Sequence, residues 1–198
     1  ADHHIMLDFH GTSKPAGLQR TFPNVVNYEG VHGMEQEKWS NRNFPLYDVT
    51  IPYIRMLAGP LDYTPGAMRN ANKDNFRPVW SMPMSQGTRC HQLAMYVVFE
   101  APFEMLADNP TAYLREPESV GFISQVPTVF DETKALNCQV AEYVNIARRK
   151  GADWYAGGMT NWTARDLQID LSFLGAGNYE MELFRDGINA DRGATDYS

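Results

Sequence analysis

Cysteine is scarce in this chain of 198 residues, with Cys90 and Cys138 the only two. Two thiols do not make a disulfide framework. Neither has a partner at metal-ligand spacing, and Cys90, inside a helical pattern, reads as a small buried side chain. Basic charge is also short: 17 Lys and Arg stand against 24 Asp and Glu, a net −7. That excludes the basic stripe that electrostatic binding of nucleic acid requires. No apolar run approaches the roughly 20 residues of a membrane span, so no membrane partner is expected. There are no internal repeats and no low-complexity tract. The sequence opens on Ala1-Asp2-His3-His4, without an initiator methionine or a signal peptide. What remains is an ordinary globular composition, 43% hydrophobic and 21% charged, long enough for one or two domains with a real core.

The chain is organised around Asn27-Tyr-Glu-Gly-Val-His-Gly-Met-Glu-Gln36. Two carboxylates, Glu29 and Glu35, lie six positions apart, a spacing that does not share one helix face. Gly30 and Gly33 argue against a helix there in any case. A strand end followed by a turn is the better reading, and it can bring both carboxylates to one rim, to hold a metal or handle a proton. Two solvated acids on a glycine-rich loop give the same spacing.

His4–Phe9 reads as a short buried parallel strand ending at Asp8, His10, Gly11 and Thr12. Thr12–Asn24 reads as loop, with Lys14 solvated. Asn24–Glu29 is the second strand, Glu29 at its carboxyl end. Trp39, in a polar loop, is either a sugar-stacking platform or a plug between elements. Asp48 is placed to cap a helix over Val49–Leu57, with Arg55 a solvated residue on it. Leu57–Gly66 reads as a third strand end and loop, Asp62 and Tyr63 facing the same rim. Residues 67–83, with Trp80, are irregular. Ser85 or Thr88 is placed to cap a buried helix running to Phe99. A short helical turn over Phe103–Ala107 and a helix over Pro110–Val126 follow. Beyond Pro127 the period changes: segments 140–146 and 154–159 flank the hairpin signal Lys150–Asp153, and Leu167–Phe173 and Tyr179–Leu183 alternate as antiparallel strands do. The sequon Asn161-Trp-Thr163 is taken as chance.

Several stretches together carry a family resemblance: Leu7–Asn24, the central 27–36 stretch, Ala58–Gly66, Arg89–Ala94, Pro102–Asp108 and Ala147–Tyr155. In that order they resemble the catalytic region of glycoside hydrolase family 97, which comprises α-glucosidases and α-galactosidases. The resemblance implies an α/β fold, the C-terminal part of a (β/α)8 barrel over residues 1–127, followed by an incomplete antiparallel β domain over 128–198. It implies that the chain is an internal piece of a longer, periplasmic or secreted bacterial enzyme acting on an α-linked oligosaccharide or glycoside. Glu35 matches the general acid, whose environment should raise its pKa. Glu29, with Glu35, matches the ligands of a calcium ion, and calcium takes 6–8 oxygen ligands, so further ligands must come from elsewhere. His10 matches a sugar-contacting histidine, and Asp62 is a further substrate-binding candidate. Asp8 stays undecided. The inverting branch has a glutamate after that histidine, whereas this chain has Gly11. That resembles the retaining branch, in which the nucleophile is an aspartate of an earlier strand, and it associates the chain more with α-galactosides.

Three rival readings stand beside this one. A non-catalytic carbohydrate-binding module would rest on Trp154, Tyr155 and Trp162. A zinc protein would use His3, His4, His10 and His32, although no spacing among them matches a ligand pattern and neighbours on a strand point to opposite faces. The third is a scaffold with no site.

Overall fold

The computed structural model describes residues 2–198. Two parallel strands begin it: β1 (Leu7–Phe9) and β2 (Val25–Tyr28), joined by a loop that includes the single-turn helix α1 (Leu18–Thr21). The ladder continues past the regular strands. The Glu29 amide donates to Phe9 O (2.7 Å), the Asp62 amide to Tyr28 O (2.9 Å) and the Leu61 amide to Glu100 O (2.9 Å). Extended segments at 7–9, 25–29, 61–62 and 100 therefore run side by side in one order. The outer edge of β1 has no strand partner among the described residues, and Ile5 and Met6 beside it are 57% and 64% exposed.

The helix expected over Val49–Leu57 is instead two short ones, α2 (Phe44–Asp48) and α3 (Ile51–Ile54). Asn43, not Asp48, caps α2, its Oδ1 accepting from the Leu46 amide at 3.2 Å. Asp48 ends α2 and is fully buried. Two two-residue strands, β3 (Asn70–Ala71) and β4 (Ser85–Gln86), pair in parallel across the irregular loop. Thr88 then caps α4 (Arg89–Val98), its hydroxyl accepting from the His91 amide at 3.1 Å. Eight of the ten residues of α4 are buried, which is the outcome expected for a helix apolar on every side. The turn expected at Phe103–Ala107 is irregular backbone. The helix expected over 110–126 breaks at Pro117 into α5 (Pro110–Leu114) and α6 (Pro117–Gln125), because the residue before a proline is pushed out of helical conformation.

The second part is a three-stranded antiparallel sheet of β5 (Glu132–Ala135), β6 (Tyr143–Lys150) and β7 (Asp153–Thr160), with the expected tight hairpin between β6 and β7. α4 packs against β6 and β7. Gly157 permits this approach, since a Cβ there would lie 2.9 Å from Val97 Cβ and 3.0 Å from Ala94 O. One core spans the seam: Val49, Ile51, Leu61 and Tyr63 from the first part, Met95, Val98 and Phe99 from α4, Val144, Ile146 and Met159 from the sheet.

The strands expected at Leu167–Phe173 and Tyr179–Leu183 do not form. Leu171, Met181 and Leu183 are exposed. An alternating segment becomes a strand only when a neighbour completes its ladder, and none of the described strands does so. The last residues instead return to the first part. The Arg89 amide donates to Ala194 O (2.7 Å), Asn72 Nδ2 donates to Asp191 O and Arg192 O (2.9 and 3.0 Å), and Phe184 packs on Phe122 at 5.0 Å.

Candidate functional site

The carboxyl ends of these adjacent segments gather five ionisable side chains. Asp8 and Asn27 are register partners on β1 and β2, so Asp8 points to the same rim that His10 and Glu29 reach one or two residues further on. Asp62 enters from the third segment and Glu104 from the fourth. Parallel strands place their last side chains this way in any sheet of this kind. Arg55 holds the rim in shape. Its guanidinium donates to five carbonyls, those of Tyr28, Glu29, Gly30, Gly59 and Pro60, at 2.9–3.1 Å. The residue is buried, which corrects the solvated role expected of it. Gly30 completes the turn at φ +43°, and a Cβ there would lie 2.5 Å from Lys14 N. Only glycine fits that crossing of two backbones.

His10 is clamped from two sides. Its Nε2 contacts the Asp62 carboxylate, and its Nδ1 lies 3.7 Å from Glu29 Oε2. The same Glu29 oxygen accepts from the Gly11 amide. Asp62 is 1% exposed, yet the His10 side chain is half-exposed, so the imidazole is anchored from below and open above. The bond to Asp62 raises the His10 pKa, against the lowering effect of burial. Burial first, then the neighbouring Asp62 carboxylate, pushes Asp8 up to about 7. Glu104 is pushed well above the ordinary carboxylate range by burial and by the charges of Asp62 and Asp8. Both Asp8 oxygens, Asp62 Oδ1 and Glu104 Oε1 are buried without a hydrogen-bond partner. Asp8, His10 and Asp62 each offer a ligand atom within 4.8 Å of the others.

Glu35 lies on the next turn, a 3-10 helix over Met34–Lys38. It is exposed and lines an open cleft of about 830 Å³, with Met34, Lys38, Met68, Ser81 and Met82 among the other walls. Glu35 forms no ion pair or hydrogen bond with Glu29 or His10 among the described residues. The buried acid of the turn is Glu37, which accepts from the Gln86 amide at 2.6 Å and is raised well above the usual range, chiefly by burial. Behind it Asp48 accepts from the Tyr63 hydroxyl at 2.5 Å and from His91 Nε2 at 3.1 Å. Tyr63 therefore faces the core, not the rim expected for it. Its neighbour Asp62 does face the rim, because adjacent residues of extended chain point to opposite sides.

The model of the glycoside hydrolase 97 C-terminal, oligomerisation region matches residues 129–198, and the glycoside hydrolase 97 model matches residues 1–31. The chain belongs to glycoside hydrolase family 97. A retaining alpha-galactosidase of Bacteroides thetaiotaomicron is 58% identical over 199 residues, a match covering 100% of this chain and 30% of that protein. A probable retaining alpha-galactosidase of Streptomyces bingchenggensis is 32% identical over 94% of this chain and 27% of its own length. Among solved structures, a family 97 enzyme of Pseudoalteromonas sp. strain K8 in complex with acarbose superposes with a TM-score of 0.89 at 35% identity, covering 100% of this chain and 31% of that one. The chain thus spans less than a third of the length of these relatives.

Of the sequence-predicted residues, the structure joins His10, Asp62 and Glu29 at the rim and sets Glu35 in the cleft wall. His32 stands elsewhere, with its Nε2 3.5 Å from Arg42, and among the described residues no metal-ligating group gathers the histidines of the zinc reading. Trp154 and Tyr155 are neighbours on β7 and pack on different partners, Phe173 at 4.7 Å and Phe130 at 5.9 Å, so they form no common platform. One rim residue, Glu104, and the rim's support, Arg55, are missing from the residues expected at the site. Glu104 was absorbed into an expected helical turn, although the proline at 102 ending an apolar helix is the signal for a new extended segment. Arg55 gave no signal, because its partners are carbonyls brought together only by folding.

Proposed function

We propose that this chain supplies the acid/base side of the active centre of a family 97 enzyme that cleaves α-galactosides with retention of anomeric configuration. The parallel segments at 7–9, 25–29, 61–62 and 100 are read as the last strands of a (β/α)8 barrel, with the unpaired edge of β1 as the place where the preceding strand joins. The observation that carries the reading is the rim, where His10 is held between Asp62 and Glu29 at the ends of neighbouring segments, with Glu35 on the following turn in the wall of a cleft. The names of the relatives support it in kind.

In this reading Glu35 donates its proton to the leaving glycosidic oxygen and afterwards takes one from the incoming water. His10, fixed at both ring nitrogens, and the buried Asp62 below it orient the hydroxyls of the retained sugar. Gly11 offers no carboxylate to activate a water. A Cβ at that position would meet nothing within 4 Å, so the space open there is what an inverting enzyme would fill with a glutamate side chain. The nucleophile comes from outside this chain. Glu29 and Glu35 fit a calcium ion by donor chemistry, since both offer hard carboxylate oxygens and Glu29 uses only Oε2 in its contacts with Gly11 and His10. Bound there with further ligands, the ion would orient and polarise the sugar. Location in the periplasm or outside the cell belongs to the same proposal.

The test uses the full-length parent on aryl α-galactoside and aryl α-glucoside, with and without calcium, following the released anomer by NMR. An α-anomer first, from the galactoside, abolished by Glu35→Gln and by chelation, is the expected result. A β-anomer first would mean inversion and remove the reading of Gly11. Preference for the glucoside would favour a second reading, an α-glucosidase, which the panose- and acarbose-bound neighbours support. The isolated 198-residue chain, lacking the nucleophile, is expected to show no turnover, and enzyme-level activity from it would overturn this assignment.

A further inference from the structure

Two of the four tryptophans are placed unlike the rest. Trp39 follows the turn that carries Glu35, and Trp80 belongs to the irregular loop whose next residues, Ser81 and Met82, line the same cleft. Their rings stack, with centroids 5.1 Å apart and an interplanar angle of 29°. The pair is not a plug, because Trp39 is 45% and Trp80 69% exposed. Indoles ordinarily bury most of their surface, so two stacked ones left this open form a flat apolar surface that faces solvent. The surface is held in place. Trp39 Nε1 donates to Gln36 Oε1 at 3.0 Å, and Lys38 Nζ sits 5.8 Å from the Trp80 ring centroid. Lys38 and Ser81, the chain neighbours of Trp39 and Trp80, both line the cleft that Glu35 lines, and half-exposed Met82 continues the apolar strip along it.

We propose that the Trp39–Trp80 stack is the platform that binds the leaving-group side of the substrate, a pyranose or aryl unit laid flat on the indoles. The inference rests on the reading of Glu35 as the general acid. The rim of His10 and Asp62 is polar and suits the hydroxyls of the retained sugar. Trp39 directly follows the turn that carries the residue protonating the departing oxygen, which sets the platform on the departing side. A pyranose presents a face of C–H groups to a ring and keeps its hydroxyls at the edge, where Lys38 and Ser81 offer donors. A prestacked pair loses little conformational freedom on binding, which makes it an effective anchor.

The experiment measures KM and kcat of the full-length parent and its Trp80→Ala, Trp39→Ala and Trp80→Phe variants. The substrates are an α-galactosyl disaccharide and α-galactosyl fluoride, whose leaving group is a single atom. Either alanine variant should raise KM for the disaccharide about five- to tenfold more than for the fluoride, with kcat little altered, and Trp80→Phe should restore most of the loss. Equal effects on both substrates, or none on the disaccharide, would overturn the platform. Failure of the reaction reading looks different: the wild-type parent would turn over neither substrate. The platform is then read by titrating wild-type and Trp80→Ala proteins with α-galactosyl and α-glucosyl disaccharides, following tryptophan fluorescence. Weaker binding by the variant supports it, and equal binding by both proteins refutes it.

Discussion

Two groups of acids lie within the same fold and are built in opposite ways. In the interior, Asp48 is fully buried, with one oxygen accepting from Tyr63 and the other from His91. Glu37 beside it accepts a backbone amide. At the rim, Asp8, Asp62 and Glu104 retain four buried oxygens without partners, and the histidine above them is half-exposed. Buried carboxylates are tolerated when each oxygen is paired. The interior group largely meets that condition and reads as structure. The rim group does not, and unsatisfied buried polar atoms at the ends of parallel segments are where ligands and catalytic partners belong.

The largest effect that would sharpen this contrast is on catalysis. Glu35→Gln in the full-length parent should lower kcat by about 10²–10⁴-fold while leaving the melting temperature close to wild type. A comparable loss of stability would move Glu35 to the structural group. Next, Asp48→Ala in this chain should destabilise it by about 3–5 kcal/mol, because Tyr63 and His91 lose a buried partner. Urea unfolding checks this, and a change below about 1 kcal/mol would break the distinction between the groups. Arg55→Ala should cost about 3 kcal/mol in the same assay, since five carbonyls at the rim lose the guanidinium that ties them together. Rescue by lysine should be poor, as one ammonium cannot span the fork.

The last effect concerns pH. Asp8 has its folded pKa raised from 3.8 to about 7, so the folded chain holds a proton that the unfolded chain has released. Its stability contribution is complete below about 3.8 and is lost as pH rises toward about 7. Thermal melts across that window should fall with pH less steeply in Asp8→Asn than in wild type. A variant curve parallel to wild type would show that Asp8 is not strained at the rim.

Much of this site was legible in the residues themselves. His10, Glu29 and Asp62 each fall where an apolar run gives way to glycine or turn residues, which is the mark of a strand end. The Asp62/Tyr63 pair was read only halfway, because strand alternation sends one side chain to the rim and the other to the core, and a run as short as Leu61–Tyr63 leaves the phase open. Asp48 resembles a cap in sequence, but Asn43 took that role and burial converted Asp48 into an acceptor for Tyr63 and His91. The strands expected after residue 160 failed for a related reason: alternation describes a face, while a strand also needs a neighbour.

The sequence by itself determined the local steps: the parallel segments, the buried helix over residues 89–98, the β6–β7 hairpin, the glycine that permits the crossing at Gly30, and the membership of family 97 that its ordered stretches carry. The tertiary structure alone decided which acids meet. Asp8, Asp62 and Glu104 are separated by tens of positions and share a charge field only because four neighbouring segments meet there. Arg55 matters only because that closure leaves five carbonyls pointing at one place. Local propensity acts over a few residues, whereas desolvation and charge coupling depend on distance in space.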